Sequence, residues 1–149
     1  MPLNFIANQA ARSASGQTLP VIDPADGQPY DSIERSNATD VDAAVQAARH
    51  CLDTAWGRLS AAERGRLLMK LSAKVAEHAD ELAAIEQRDC GKPTRQAKAD
   101  ALALVRYFEF YAGAADKLHG DTIPYLDGYS VLTWREPHGV TGHVIPWNY

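Results

Sequence analysis

Along the chain the spacing of apolar residues shifts between two and 3.6, and each shift predicts an element. Over residues 18–34, Leu19-Pro20-Val21-Ile22 can run extended and Asp23-Pro24-Ala25-Asp26-Gly27 supplies turn chemistry. Tyr30 and Ile33 carry the returning strand, so a hairpin is expected there. Residues 39–119 read as helices. Val41, Ala44, Val45, Ala48, Leu52 and Ala55 recur at helical spacing behind Thr39 as N-cap, and Gly57 marks the exit. Ser60 and Glu63 form a capping box, followed by a stripe of Leu67, Leu68, Leu71 and Val75. Helix continues from Asp80 to Asp89 with Leu82 and Ile85 inward, and Gly91 sits where a left-handed terminating residue belongs. Pro93 opens the longest helix. On it Ala97, Ala101, Leu104, Val105, Phe108, Ala112, Ala115 and Leu118 share a face, and its aromatic residues read as packing.

Past Gly120 the texture turns extended again. Residues 121–137 form an excursion, with Ile123-Pro124-Tyr125 and Tyr129–Arg135 on either side of the Asp127-Gly128 turn signal. Gly139–Ile145 is β-prone and predicts a strand and turn over 138–149. Hairpin, helices, excursion and strand together predict an α/β fold.

Composition narrows the function classes. The 149 residues are 46% hydrophobic and 23% charged, as in a soluble globular domain, but are few for a two-domain enzyme. A net charge of −4 gives no basic surface for nucleic acid or an anionic membrane. No run approaches the roughly 20 apolar residues of a membrane span. Residues 1–16 carry only Arg12 and no apolar block, which argues against a secretory signal. Two cysteines, Cys51 and Cys90, make no disulfide framework; a reducing compartment, the cytoplasm by default, is expected.

The usual catalytic constellations are missing. Neither a phosphate-cradling glycine loop nor a GxSxG elbow occurs, and the five histidines lack metal-ligand spacing. Cys90 falls at a helix C-terminus, where the dipole opposes a thiolate, and Cys51 lies mid-helix; both read as structural thiols. On spacing alone the chain is an α/β piece without an assigned role.

Three ordered blocks change this. Asp23–Gly27 comes first, then Leu82–Glu86 with Asp89-Cys90-Gly91-Lys92-Pro93, then Arg135–Val140 running into Ile145-Pro146-Trp147-Asn148-Tyr149. Tyr111-Ala112-Gly113 and Asp116–Gly120 fit between the last two. From about Leu19 onward the chain resembles the N-terminal portion of the NAD(P)-dependent aldehyde dehydrogenases. One departure is Cys90, where that family more often has threonine.

The resemblance implies that an aldehyde is oxidised to the acid with NAD or NADP, through a thiohemiacetal on a cysteine. It makes Asn148 the amide that donates to the oxyanion; read without it, Asn148 is an N-cap after a strand. It implies cofactor contacts from Val144, Ile145, Pro146, Trp147 and Asn148, near the end of the first nucleotide-domain strand. In some members, a structural monovalent cation is held at the positions of Asp89 and of the carbonyls near Val21 and Ile22; otherwise Asp89 reads as a solvated or capping residue. The excursion 121–137 matches the family's oligomerisation element, implying a homodimer or homotetramer. The family's lysine for the cofactor ribose, glycine-containing helix start, glutamate base and nucleophilic cysteine find no counterpart here. The chain alone is therefore expected to be inactive, as part of a longer enzyme or as a non-catalytic module pairing with full-length subunits. Which aldehyde is oxidised is not legible.

Overall fold

In the computed structural model of the chain, the described residues run from 2 to 146. The order is β1 (Asn4–Ile6), β2 (Gln9–Ala11), β3 (Thr18–Ile22), β4 (Pro29–Glu34), α1 (Ala38–Asp53), α2 (Ala61–Glu77), α3 (Ala79–Cys90), α4 (Thr94–Ala114), β5 (Thr122–Ile123) and β6 (Val131–Leu132). Each consecutive strand pair forms its own two-stranded antiparallel sheet.

The hairpin expected over 18–34 is β3–β4, paired from Thr18↔Glu34 to Ile22↔Pro29 with a bulge after Val21. Its loop is closed by the Asp23 amide donating to the Gln28 carbonyl at 2.9 Å, with Gly27 at φ 70°. A second hairpin, β1–β2, precedes it and was not expected. Ala7 and Asn8 turn it at φ 52° and 63°, the left-handed geometry of a two-residue hairpin loop, without the Asn-Gly pair that usually announces one.

The first helix is capped by Asn37 and not by Thr39. Asn37 is extended and its side chain accepts from the Thr39 and Asp40 amides, while Asp40 accepts from the Asn37 amide at 2.8 Å. Asp40 lies three residues after Asn37, so the two close a reciprocal capping box. The Ser60–Glu63 box at the start of α2 forms as expected, and Gly91 terminates α3 in the left-handed region at φ 70°.

The core lies where α2 and α3 pack on α4, and it is made of small residues. Val75, Ala79, Ala83, Ala97 and Ala101 are buried, with Gly65 and Ser72. The expected inward stripe is therefore corrected: Leu67, Leu71, Leu82 and Ile85 are exposed, as are Leu104 and Leu118. Small side chains at the contacts bring the axes close, and the hydroxyl of Ser72 donates to the Val105 carbonyl on α4 at 2.9 Å. Lys92, just beyond α3, ties the corner by reaching Glu86 at 2.5 Å and Asp100 of α4 at 2.7 Å.

The excursion folds as the short β5–β6 ladder around the Leu126–Tyr129 turn, with Gly128 at φ 84°. Gly120 has the Thr133 carbonyl so near that a Cβ would lie 2.0 Å from it, which pins the base of the hairpin. The strand expected over Gly139–Ile145 is absent: residues 138–146 carry no regular structure. A β-prone run needs a neighbouring strand to satisfy its backbone, and no described strand lies beside it.

Candidate functional site

Two regions hold the residues singled out in the sequence. The first is the segment after Pro137. Its root lies near the end of α1: Leu52, Trp56 and Pro137 line two adjoining clefts of about 480 and 360 Å³, with Val140 and Thr141 in the smaller. Beyond that root the segment is open, and Val144, Ile145 and Pro146 are all exposed. Among the described residues, nothing packs an apolar side chain onto Val144, which is wholly exposed. Trp147 and Asn148 lie outside the described residues.

The second region is an open cleft of about 850 Å³ between the β3–β4 hairpin and α3, bordered by Val21, Tyr30, Ile33, Glu81, Arg88 and Asp89. It brings together Val21 and Asp89, two of the three expected cation contacts; Ile22 does not line it. The Arg88 guanidinium stacks over the Tyr30 ring at 4.1 Å and reaches Asp23 at 3.4 Å, tying the turn of the hairpin to α3. Tyr30 is held above the usual phenol range, first by loss of water, then by the Asp89 carboxylate to which it is hydrogen-bonded. Among the described residues no group of three or more His, Cys, Asp or Glu is arranged to hold a metal, so any cation here would rely on backbone carbonyls beside Asp89.

Neither thiol is placed as an activated nucleophile. Cys90 donates to the Glu86 carbonyl at 3.1 Å, and Cys51 is exposed on α1, bordering the smaller cleft with Gly139 and Val140. Sequence reasoning missed that Tyr30 is hydrogen-bonded to Asp89 and that Arg88 stacks on Tyr30 beside it. It also missed a buried carboxylate, Asp40, although the Asn37–Asp40 spacing carried the signal for its cap.

The sequence model of the aldehyde dehydrogenase family matches residues 11–149. The chain belongs to the aldehyde dehydrogenase family. It is 44% identical over 139 residues to aldehyde dehydrogenase family 2 member B4, mitochondrial, of Arabidopsis thaliana, with 92% of this chain and 26% of that protein covered. Among solved structures, one from Burkholderia cenocepacia assigned to the aldehyde dehydrogenases matches at TM-score 0.96 and 62% identity, over 99% of this chain and 31% of that one. The structure of PnpE in complex with nicotinamide adenine dinucleotide matches at TM-score 0.82 and 36% identity, over 87% and 26%. The aldehyde dehydrogenase portion seen here thus spans between a quarter and a third of these relatives' lengths. Its hairpins and helices are those of an N-terminal aldehyde dehydrogenase portion, mixed α and β. No helix among the described residues is long and apolar enough to cross a membrane.

Proposed function

We propose that the chain is the N-terminal portion of an enzyme that oxidises an aldehyde to its carboxylic acid with NAD+ or NADP+, through a cysteine thiohemiacetal. The observation that carries this reading is the family match over residues 11–149, which includes Ile145-Pro146-Trp147-Asn148. In it, the Asn148 side-chain amide donates to the oxygen that becomes negative when a thiolate adds to the aldehyde. A fixed donor at that place needs no reorganisation as charge develops, and a neutral amide performs this role at any working pH. Val144, Ile145, Pro146 and Trp147 form part of the cofactor floor. A nicotinamide cofactor held there would supply the hydride acceptor for the oxidation. The nucleophile and the glutamate that activates water are supplied from outside these 149 residues.

Asp89, with carbonyls near Val21 and Ile22, is proposed to hold a structural monovalent cation, supported by the shared cleft of Val21 and Asp89. The 121–137 excursion is proposed to join subunits into a homodimer or homotetramer; its exposed Tyr129, Leu132 and Trp134 support that. Two free thiols fit a reducing compartment, the cytoplasm. The same exposed hairpin favours a second reading, a non-catalytic module pairing with full-length subunits.

The test compares the 149-residue chain with the whole polypeptide for aldehyde-dependent NADH formation. Activity is expected only from the whole polypeptide. Turnover by the 149 residues alone, or none by the whole polypeptide across an aldehyde panel, would overturn the reading. Copurification of the short chain with an active longer dehydrogenase would move the weight to the second.

A further inference from the structure

We infer that Asp40, with Glu34 beside it, forms an acid-releasable clasp that holds the N-terminal β1–β2 hairpin against β4 and the start of α1.

Apolar burial holds this hairpin weakly. Phe5 is 72% exposed, Ile6 and Ala11 are only half-buried, and Val41 of α1, across the shallow groove beneath them, is itself exposed. The attachment is polar. Just after β2, the Ser13 amide donates to Glu34 Oε2 at 2.7 Å and the Ala14 amide donates to Asp40 Oδ1 at 2.8 Å. The Ser13 hydroxyl lies 2.9 Å from Asp40 Oδ2 and 2.8 Å from the Arg35 carbonyl. The side chains at its centre are withdrawn from water, since Ser13, Glu34 and Asp40 are buried.

Asp40 does two things at once. Its Oδ2 also accepts from the Asn37 amide at 2.8 Å, closing the capping box of α1. One carboxylate thus couples docking of the hairpin to the start of a helix. A protonated carboxyl is a weaker acceptor, and of the groups facing it only the Ser13 hydroxyl can take its O–H, so the Ala14 and Asn37 amides lose much of their partner.

The charged groups around the clasp are few. Arg12 approaches Glu34 at 3.5 Å from an exposed position, and the Arg35 guanidinium turns away to Gln17 at 3.4 Å. Asp40 is held below the usual carboxylate range by the Ala14 amide first, then the Asn37 amide and the Ser13 hydroxyl, with desolvation opposing. A depressed pKa contributes stability above the unfolded value of about 3.9, and that contribution is lost as pH falls through the folded value.

The experiment is backbone hydrogen exchange on the full chain at pH 7 and pH 3, corrected for the intrinsic pH dependence of exchange. Residues 4–14 are expected to lose protection severalfold between pH 7 and pH 3, clearly more than the α2–α4 amides do. Asp40→Asn is expected to give a comparable loss for 4–14 at pH 7 and to reduce its pH dependence. Should Asp40→Asn fail to fold, the wild-type comparison still decides. Equal protection of 4–14 at both pH values, or loss in step with α4, would overturn the clasp.

Discussion

Gly65 of α2 faces the main-chain carbonyl of Ala112 on α4 so closely that a Cβ at position 65 would lie 2.6 Å from that oxygen. Backbone, and not a flexible side chain, occupies the space, so the helices must separate to admit even a methyl group. Gly65→Ala should raise helix propensity yet destabilise the chain, by about 1–3 kcal/mol as overpacking does. Thermal unfolding checks this, and a Tm unchanged or raised would show that α2 and α4 are not held at this distance.

That contact explains why part of the fold was legible in the sequence and part was not. The β3–β4 hairpin, the Ser60–Glu63 box and the left-handed Gly91 follow from residues within a few positions of one another, so local rules find them. Which face of a helix turns inward is a tertiary matter. Reading size as burial puts Leu67, Leu71, Leu82 and Ile85 in the core; the helices instead meet through Gly65, Ser72, Ala79 and Ala83. The β1–β2 turn was hidden for a related reason: Ala7 and Asn8 adopt positive φ without glycine. Val21 and Asp89 of the candidate cation site do share a cleft, yet Tyr30 and Arg88 enter it only through a contact between hairpin and helix that no spacing rule predicts. The remaining candidate site, from Val144 to Asn148, was found by resemblance alone, because neither periodicity nor spacing marks a side chain as an oxyanion donor.

Gly91 is constrained twice. Its φ of 70° penalises a β-carbon, and the carbon itself would meet Cγ of Pro24 at 3.1 Å. Gly91→Ala is expected to cost about 1 kcal/mol or more from the backbone alone. Gly91→Asn separates the two constraints, since asparagine tolerates the left-handed region but still presses on Pro24. If the conformation dominates, Asn recovers much of the loss in chemical denaturation; if the Pro24 contact dominates, both variants melt alike.

Lys92 has a side chain only 9% exposed and neutralises two carboxylates from different helices. Its ammonium is held above its ordinary range, first by the hydrogen bond to Asp100 and then by that to Glu86. Asp100 is held below its own, first by Lys92. A raised lysine pKa contributes stability that is complete below about 10.4 and fades only as pH rises through the folded value. A depressed aspartate contributes above about 3.9 and loses its share as pH falls through the folded value. The ion triad should therefore be intact from about pH 5 to 10. Lys92→Ala is expected to lower Tm throughout that window, because two partly buried carboxylates lose their partner. Towards pH 3 the gap should narrow as Asp100 protonates in the wild type. A gap that stays constant into acid would assign the effect to packing of the lysine stem.

The role proposed for Asn148 is best separated from its alternative, an N-cap after a strand, by kinetics on the whole polypeptide. Asn148→Ala removes both a capping oxygen and an amide donor, so on its own it decides little. Asn148→Asp keeps a good capping acceptor, and improves it by adding negative charge at a helix start, while replacing the donor with an anion that repels the oxyanion. If Asn148 serves the oxyanion, both variants should lose about 10²–10³ in kcat, with Asn148→Asp losing at least as much, while the melting temperature of Asn148→Asp stays near wild type. If it only caps, Asn148→Asp should retain activity and Asn148→Ala should lose stability.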